Sequence, residues 1–245
     1  MRNIKYPGKE LEVFSQARNW KSYWASKITP YIGKTVLEVG AGIGSNTLLL
    51  CKDNYQRWVC LEPDARLSKQ LSLCLKEQNC TSKCEVLNGT LKELSQNDLF
   101  DTILYIDVLE HIEDDKAEID FVKRHLMPQG KLIILSPAHY FLFSKFDEAV
   151  GHYRRYDKHM LKKLIPQCYR PLKLEYLDSV GLCLSLGNSL ILKRTNPSKN
   201  QIQIWDTLII PLSKFFDSCT SYLIGKSILG VWCHENNFHP HLEGN

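Results

Sequence analysis

The 245-residue chain has no C-x-x-C pair, no run of basic residues, no internal repeat and no low-complexity stretch. Each absence excludes a class. The nine cysteines lack paired spacing, and Cys51, Cys60, Cys74 and Cys183 fall inside apolar runs, so they read as small hydrophobes in a reducing compartment. Cys80 and Cys84 form the one close pair in polar sequence, but no further ligand types group with them, so no metal is expected. A formal charge of +4 without a basic cluster argues against dedicated nucleic-acid binding, while leaving an anionic substrate open. Met1-Arg2-Asn3-Ile4-Lys5 leads into no apolar segment of the signal-peptide kind. Residues 181–192 are mostly apolar but too short to span a bilayer. A cytoplasmic protein is expected. No linker divides the chain, so residues 1–245 read as one domain. Its parts are a helical cap (1–32), a sheet core (33–193 and 226–234) and a helical insertion (195–225).

What the chain does contain starts with Thr35-Val36-Leu37-Glu38-Val39, a near-continuous apolar run of the kind found in a strand buried on both faces. Gly40, Gly42 and Gly44 follow at alternate positions. Then come Ser45, Asn46 and Thr47, each a residue type able to cap a helix. Strand, glycine turn and helix start bring main chain close to a ligand at the C-terminal edge of a sheet. The spacing is E-x-G-x-G-x-G over residues 38–44. A dinucleotide fingerprint, G-x-G-x-x-G/A, places its third small residue one position later, which disfavours a nicotinamide dehydrogenase. A second strand, Arg57-Trp58-Val59-Cys60-Leu61, closes on Glu62-Pro63-Asp64. Its carboxylate, about 20 residues beyond the turn, suits the two hydroxyls of a ribose.

The glycine pattern with Glu62 resembles the first two motifs of class I S-adenosylmethionine-dependent methyltransferases. Asp107-Val108-Leu109-Glu110-His111, which follows a fourth strand over Phe100 to Asp107, resembles the post-strand motif of small-molecule methyltransferases in that superfamily. It does not match the N/D-P-P-Y/F signature of enzymes that methylate amide or nucleobase nitrogens. The segment Gly151-His152-Tyr153-Arg154-Arg155-Tyr156 resembles a bacterial-type subgroup associated with surface-glycan and lipid-linked sugar pathways.

The resemblance implies a Rossmann-like α/β fold whose seven-stranded sheet has order 3-2-1-4-5-7-6. The last strand is antiparallel, helices cover both faces, an N-terminal helical segment leads in, and a helical insertion precedes the last strand. It implies S-adenosylmethionine as cofactor, held around Glu38, Gly40, Ala41, Gly42, Gly44, Asn46, Glu62, Pro63, Gly89, Thr90, Leu91, Ile106, Asp107, Val108 and His111. Family members often carry Asp after the glycine of the third strand, where this chain has Thr90. Adenine recognition is therefore expected from main chain around residues 89–91.

Methyl transfer from a sulfonium is chiefly a positioning problem, and orientation contributes roughly 7–11 kcal/mol. A base matters only when the acceptor must lose a proton. His152 and His111 are the candidates for that role, with Asp147 to orient one of them. Arg154 and Arg155 offer forks for an anionic acceptor, Tyr153 and Tyr156 offer pocket walls, and His139 stands at the end of the fifth strand. The expected partner is a small-molecule, sugar or lipid-linked acceptor.

Elsewhere, residues 9–32 read as an N-terminal helical layer packed on the sheet edge; in the resembling family such a segment often caps the cofactor cleft, which would bring Trp20, Tyr23 or Trp24 to the ligand. Met127-Pro128-Gln129-Gly130 reads as a turn before the fifth strand. Residues 202–224 are amphipathic, interrupted at Pro211. Their stripe of Ile204, Trp205, Leu208, Phe215, Phe216 and Leu223 reads most simply as core or a dimer contact. An interfacial membrane helix is the sharper alternative. A cofactor-fold protein that only binds a partner is the alternative function.

Overall fold

The computed structural model describes residues 6–8, 11–51, 55–80, 83–191 and 198–235. Residues 1–5, the boundary near 193 and the polar tail after Glu235 lie outside that set. Two helices, α1 (Leu11–Phe14) and α2 (Arg18–Ile28), precede strand β1 (Thr35–Val39). Then follow α3 (Thr47–Leu50), β2 (Arg57–Glu62), α4 (Ala65–Glu77), β3 (Cys84–Asn88), β4 (Phe100–Ile106) and α5 (Asp115–His125). The second half runs β5 (Leu126–Pro137), α6 (Lys145–Val150), α7 (Lys158–Leu164), β6 (Tyr169–Leu177) and α8 (Ser179–Ile191). It closes with α9 (Lys199–Ile204), α10 (Ile210–Cys219) and β7 (Ser227–His234).

The sheet order is β3-β2-β1-β4-β5-β7-β6, with β7 antiparallel to both neighbours and the other pairings parallel. Parallel strands need covered faces, and β1, β2 and β4 are buried almost throughout. Two apolar layers result. One packs Trp24, Trp58, Leu71 and Val231 on one face; the other packs Leu37, Phe100, Tyr105 and Trp232 on the opposite face. Chain order reverses between β1 and β4, which puts a crevice at their C-terminal ends.

Two expectations are corrected. Met127–Gly130 does not end an element: β5 continues through it. Phe100 pairs with Leu126 and Thr102 already with Lys131, so the intervening residues loop out as a bulge that absorbs both breakers. Pro211 does not break the insertion. It occupies the first turn of α10, where a missing N–H costs nothing, and a π-helical turn over Trp205–Ile209 joins α9 to α10. The packed N-terminal helical layer is present: Trp20, Tyr23 and Trp24 of α2 are buried in the core.

The insertion puts little of its apolar surface inside. Ile202 and Ile210 join the core, but Asp206, Ser213 and Asp217 are buried beside them, whereas Ile204, Leu208, Phe215, Phe216 and Leu223 are exposed. The inward carboxylates cap other helices. Asp206 accepts from the main-chain N–H groups of Asn19 and Trp20 at the start of α2. Asp217 accepts from Asp178 and Ser179 at the start of α8, and from the Tyr23 hydroxyl at 2.8 Å. These charge-assisted bonds satisfy helix N-termini that would otherwise be buried without partners. The apolar stripe is left outside, so it is not core. Trp205 alone of that stripe turns inward, against Phe14 and Trp20.

Candidate active site

The site is assembled from the ends of β1, β2 and β4. After β1, Gly40 adopts φ +66°, and a Cβ there would lie 2.6 Å from Val108 Cγ2. Gly44 adopts φ +85°, and its Cβ would meet Leu71 at 2.5 Å. Side chains are excluded at both positions by backbone strain and by space. The turn is therefore bare main chain pressed between the residues after β4 and helix α4. Gly40 and Ala41 donate to Leu61 O, which ties the turn to β2.

Glu62, the last residue of β2, aims at this turn. Its Oε2 accepts from Gly42 N at 2.8 Å and its Oε1 from Asp64 N at 2.9 Å. Burial raises its carboxyl above the ordinary range, against the pull of those two bonds. Pro63 follows, and Asp64 caps α4. Asn46 precedes α3 but makes no side-chain cap; its Oδ1 and Ser45 Oγ instead accept from Lys21 Nζ at 2.9 and 2.6 Å. Lys21, the one cation that α2 sends to the crevice wall, went unrecognised among the aromatics around it. Burial lowers its ammonium to about 8, against the charges of Asp107 and Glu38.

Glu38 lies beneath the turn. It is buried, with Oε2 accepting from Thr47 Oγ1 and Trp58 Nε1. Burial pushes its carboxyl up to about 7, partly offset by those bonds and by Lys21. A raised acid stabilises the fold fully below its unfolded pKa of about 4.3 and loses that stabilisation as pH rises through its folded value. Glu38→Gln is therefore expected to flatten the fall in stability between about pH 4.5 and 7, by up to about 3 kcal/mol. Urea unfolding of both proteins across that range checks this; parallel pH profiles would refute it.

On the adenine side, Gly89 N donates to Glu62 O. Thr90 N and Oγ1 both donate to Glu93 Oε2 at 2.7 Å in a capping box, and Leu91 is buried. Asn88, which had not been singled out, donates from Nδ2 to Glu62 O and Pro63 O.

Across the crevice, β4 ends at Ile106. Asp107 takes φ +56°, uncommon for a non-glycine residue, and is open to solvent. Its amide is held by Leu135 O. Val108 packs on Gly40. Glu110 is fully buried; its Oε2 accepts from Ser136 Oγ at 2.8 Å, and burial together with Asp107 pushes its carboxyl up to about 7. Burial and His152 hold His111 down to about 4, so it is neutral near pH 7.

The G-H-Y-R-R-Y segment approaches from behind. A capping box at Ser144 starts α6, and Gly151, at φ +85°, ends it in the left-handed conformation. The chain then doubles back beside the end of β5. Tyr153 N donates to Glu110 O, Tyr156 N to Pro137 O, and His139 N to Tyr156 O. His152 Nδ1 lies 2.8 Å from Asp147 Oδ1, and its ring is 4.5 Å from that of His111. Burial opposes its charge, but Asp147 and Glu110 hold its pKa above the usual value.

The arginine forks are not free. Arg155 is buried, with Nε and Nη2 on the two oxygens of Asp147 at 2.8 and 3.0 Å. Arg154 pairs with Asp115 at 2.6 Å and donates to Glu113 O. Anion capture by these two is corrected on that ground: each guanidinium is already committed to a carboxylate of its own chain. Tyr156 is likewise core, its hydroxyl donating to Asp115 Oδ2 at 2.7 Å, and so does not wall a pocket. Tyr153 is exposed. His139, at φ +64°, contacts Gly225 O through Nε2 and lies between Phe141 and Tyr176.

The N-terminal segment crosses the opening. Tyr6 N donates to Asp64 Oδ2, the Tyr6 ring meets His111 edge-on at 5.5 Å, and Leu11 lies over Gly42.

A sheet in this order, with a bare glycine turn after its first strand and a carboxylate closing its second, is the class I S-adenosylmethionine-dependent methyltransferase fold. The chain belongs to a methyltransferase-domain family, whose profile matches residues 15–174. It is 29% identical over 107 residues to the tRNA U34 carboxymethyltransferase of Ruthia magnifica subsp. Calyptogena magnifica. That match covers 44% of this chain and 34% of the relative, so the chain spans about a third of that protein's length. Among solved structures, NodS, an N-methyltransferase from Bradyrhizobium japonicum WM9, superposes with a TM-score of 0.55 at 14% identity, over 92% of this chain and 99% of that one. An S-adenosylmethionine-dependent methyltransferase from Clostridium acetobutylicum ATCC 824 gives 0.58 at 12% identity, over 92% and 95%. The cyclase SpnF gives 0.60 at 14%, over 90% and 82%. At such identities the likeness is one of fold.

Proposed function

We propose that this chain transfers the methyl group of S-adenosylmethionine to a small-molecule acceptor, and that the acceptor is lipid-linked. The observation that carries the first part is the bare turn at Gly40–Gly44 with Glu62 on its Gly42 amide. A cradle that any Cβ would fill, beside a buried carboxylate with lone pairs to spare, fits a nucleoside lying against main chain. Glu62 would take the ribose hydroxyls, main chain near Gly89 the adenine, and the turn with Asp107 the amino-acid end. The cofactor supplies an activated methyl on sulfur. The chain's own task is to orient the acceptor and exclude water.

The second part rests on the surface beside the crevice. Tyr140 and Phe141, just after β5, are exposed, as is Leu184 on α8, which packs against the turn that carries them; Leu208 and Phe215, on the helical segments packed on α8, and Leu223, just after α10, are exposed too. Exposed apolar side chains gathered on neighbouring elements are the kind of surface that marks an interaction site, and Tyr140 and Phe141 place part of it just after β5. No described helix is long and apolar enough to cross a membrane; peripheral contact through 202–224, from the cytoplasmic side, is the form proposed.

The test is calorimetry with S-adenosylmethionine and its demethylated product, followed by transfer of tritiated methyl into organic and aqueous fractions of cell extract. Micromolar cofactor binding and label in the organic fraction are expected. No binding would overturn the methyltransferase reading in favour of a protein that only binds a partner. Label confined to the aqueous fraction would overturn the lipid-linked acceptor alone.

A further inference from the structure

Three side chains from two distant stretches of sequence converge at the back of the crevice. Ligand-type atoms of Glu110, His111 and His152 all lie within 4.8 Å of one another. Each is fixed from behind. Asp147 holds His152 through Nδ1, which leaves Nε2 facing Glu110 Oε1 at 4.0 Å, beyond hydrogen-bond reach. Asp147 is itself locked by both nitrogens of the Arg155 fork and by Ser144. His111 is hydrogen-bonded to the main chain of Gly151. Ser136 holds Glu110 through Oε2.

One atom is left over. Glu110 is 0% exposed, and its Oε1 is buried with no hydrogen-bond partner among the described residues. A carboxylate oxygen in that position costs on the order of 1–3 kcal/mol or more unless something positive meets it. Among the described residues the one cationic group beside it is His152, whose Nε2 stands 4.0 Å away and makes no hydrogen bond to it; Arg155 and Arg154 are committed to Asp147 and Asp115, and Lys21 to Ser45 and Asn46.

We propose that Glu110, His111 and His152 bind a first-row divalent cation of the zinc, manganese or iron(II) kind. Two imidazoles and one carboxylate are the donor set of metal sites that keep a position open. A carboxylate behind a ligating histidine, as Asp147 stands behind His152, is the usual outer support of such a site. Bonds of about 2.0–2.2 Å require the three donors to draw together by roughly an ångström, within the reach of side-chain rotation. Magnesium and calcium, which prefer all-oxygen shells, fit poorly. The open side faces Asp107 and the crevice. That this side receives the acceptor's oxygen rests on the methyl-transfer reading; the metal site itself does not.

The test uses metal-stripped full-length protein and cobalt(II) as probe, because its spectrum separates nitrogen and oxygen ligands from thiolates. That distinction matters, since Cys51 and Cys84 lie with their sulfurs 2.9 Å apart. About one equivalent is expected to bind without a thiolate charge-transfer band, with zinc competing. Glu110→Gln and His152→Gln should each weaken binding by about 100-fold or more, with circular dichroism confirming that both variants fold. Cys51→Ser should change nothing. A thiolate band, no uptake, or uptake undiminished in both folded variants would overturn the site. Calorimetry with S-adenosylmethionine on the same stripped protein reads the cofactor independently: lost cofactor binding with cobalt retained condemns only the methyl-transfer reading.

Discussion

Asp147→Ala is expected to lower the unfolding free energy by about 3–5 kcal/mol, the cost of stranding a buried charge by removing its partner. The stranded charge is Arg155, buried with its fork on both oxygens of Asp147. The same carboxylate accepts from Ser144 N and Oγ at the start of α6 and from His152 Nδ1. A single deletion thus opens the helix cap, the ion pair and the histidine's support together. Burial opposes ionisation of Asp147, yet His152 and Arg155 outweigh it and hold its carboxyl far below the usual range. A depressed acid contributes stability above its unfolded pKa of about 3.9 and loses it as pH falls towards its folded value. The gap between wild type and variant should therefore narrow in acid, and narrow also as pH rises through the raised pKa of His152, whose charge Asp147 supports. Replacing both charges, as Asp147→Leu with Arg155→Met, should recover part of the loss, because no bare guanidinium remains. Urea denaturation at several pH values measures all three. A loss below about 1 kcal/mol for Asp147→Ala would show that Arg155 finds water or another anion.

That ion pair marks the limit of what one sequence discloses. The first strands, the glycine turn and the position of Glu62 were legible because each is a local pattern: an apolar run, a spacing of small residues, a carboxylate at a strand's end; the sheet order came only with the family resemblance those patterns carry. Arg154 and Arg155 looked like free forks because nothing local says that Asp147, eight residues before Arg155, turns towards the same interior. The insertion misled in the same way. Periodicity finds an apolar stripe on 202–224, and the default puts such a stripe inside. Here Asp206 and Asp217 are needed inside as caps for α2 and α8, helices 186 and 39 residues away by those bonds, so the stripe goes out. Glu110 and His152 meet only because a helix, α6, is stopped at Gly151 and the chain doubles back onto β5. The resemblance to lipid-linked sugar pathways lay in that same segment, whose side chains prove to be largely structural; the apolar surface carries that idea better than the arginines do.

Glu62→Ala is expected to weaken binding of S-adenosylmethionine and of its demethylated product by about 100- to 10,000-fold. Two charge-assisted hydrogen bonds to ribose hydroxyls, at roughly 1.5–3 kcal/mol each, account for that range. A second loss acts through the turn. Glu62 is the acceptor for Gly42 N and Asp64 N, so alanine leaves both amides unpaired beside the crevice and frees the segment that the nucleoside lies against. Glu62→Gln separates the two contributions. Its carbonyl oxygen can serve one amide, but its NH₂ group then confronts the other donor, so the turn suffers while one sugar contact survives. A loss of about tenfold is expected for glutamine. Calorimetry with the demethylated product reports both variants free of turnover, and urea unfolding separates lost affinity from lost fold. If alanine binds within threefold of wild type while folded, the nucleoside does not lie where the turn and Glu62 meet, and the carboxylate serves the backbone alone.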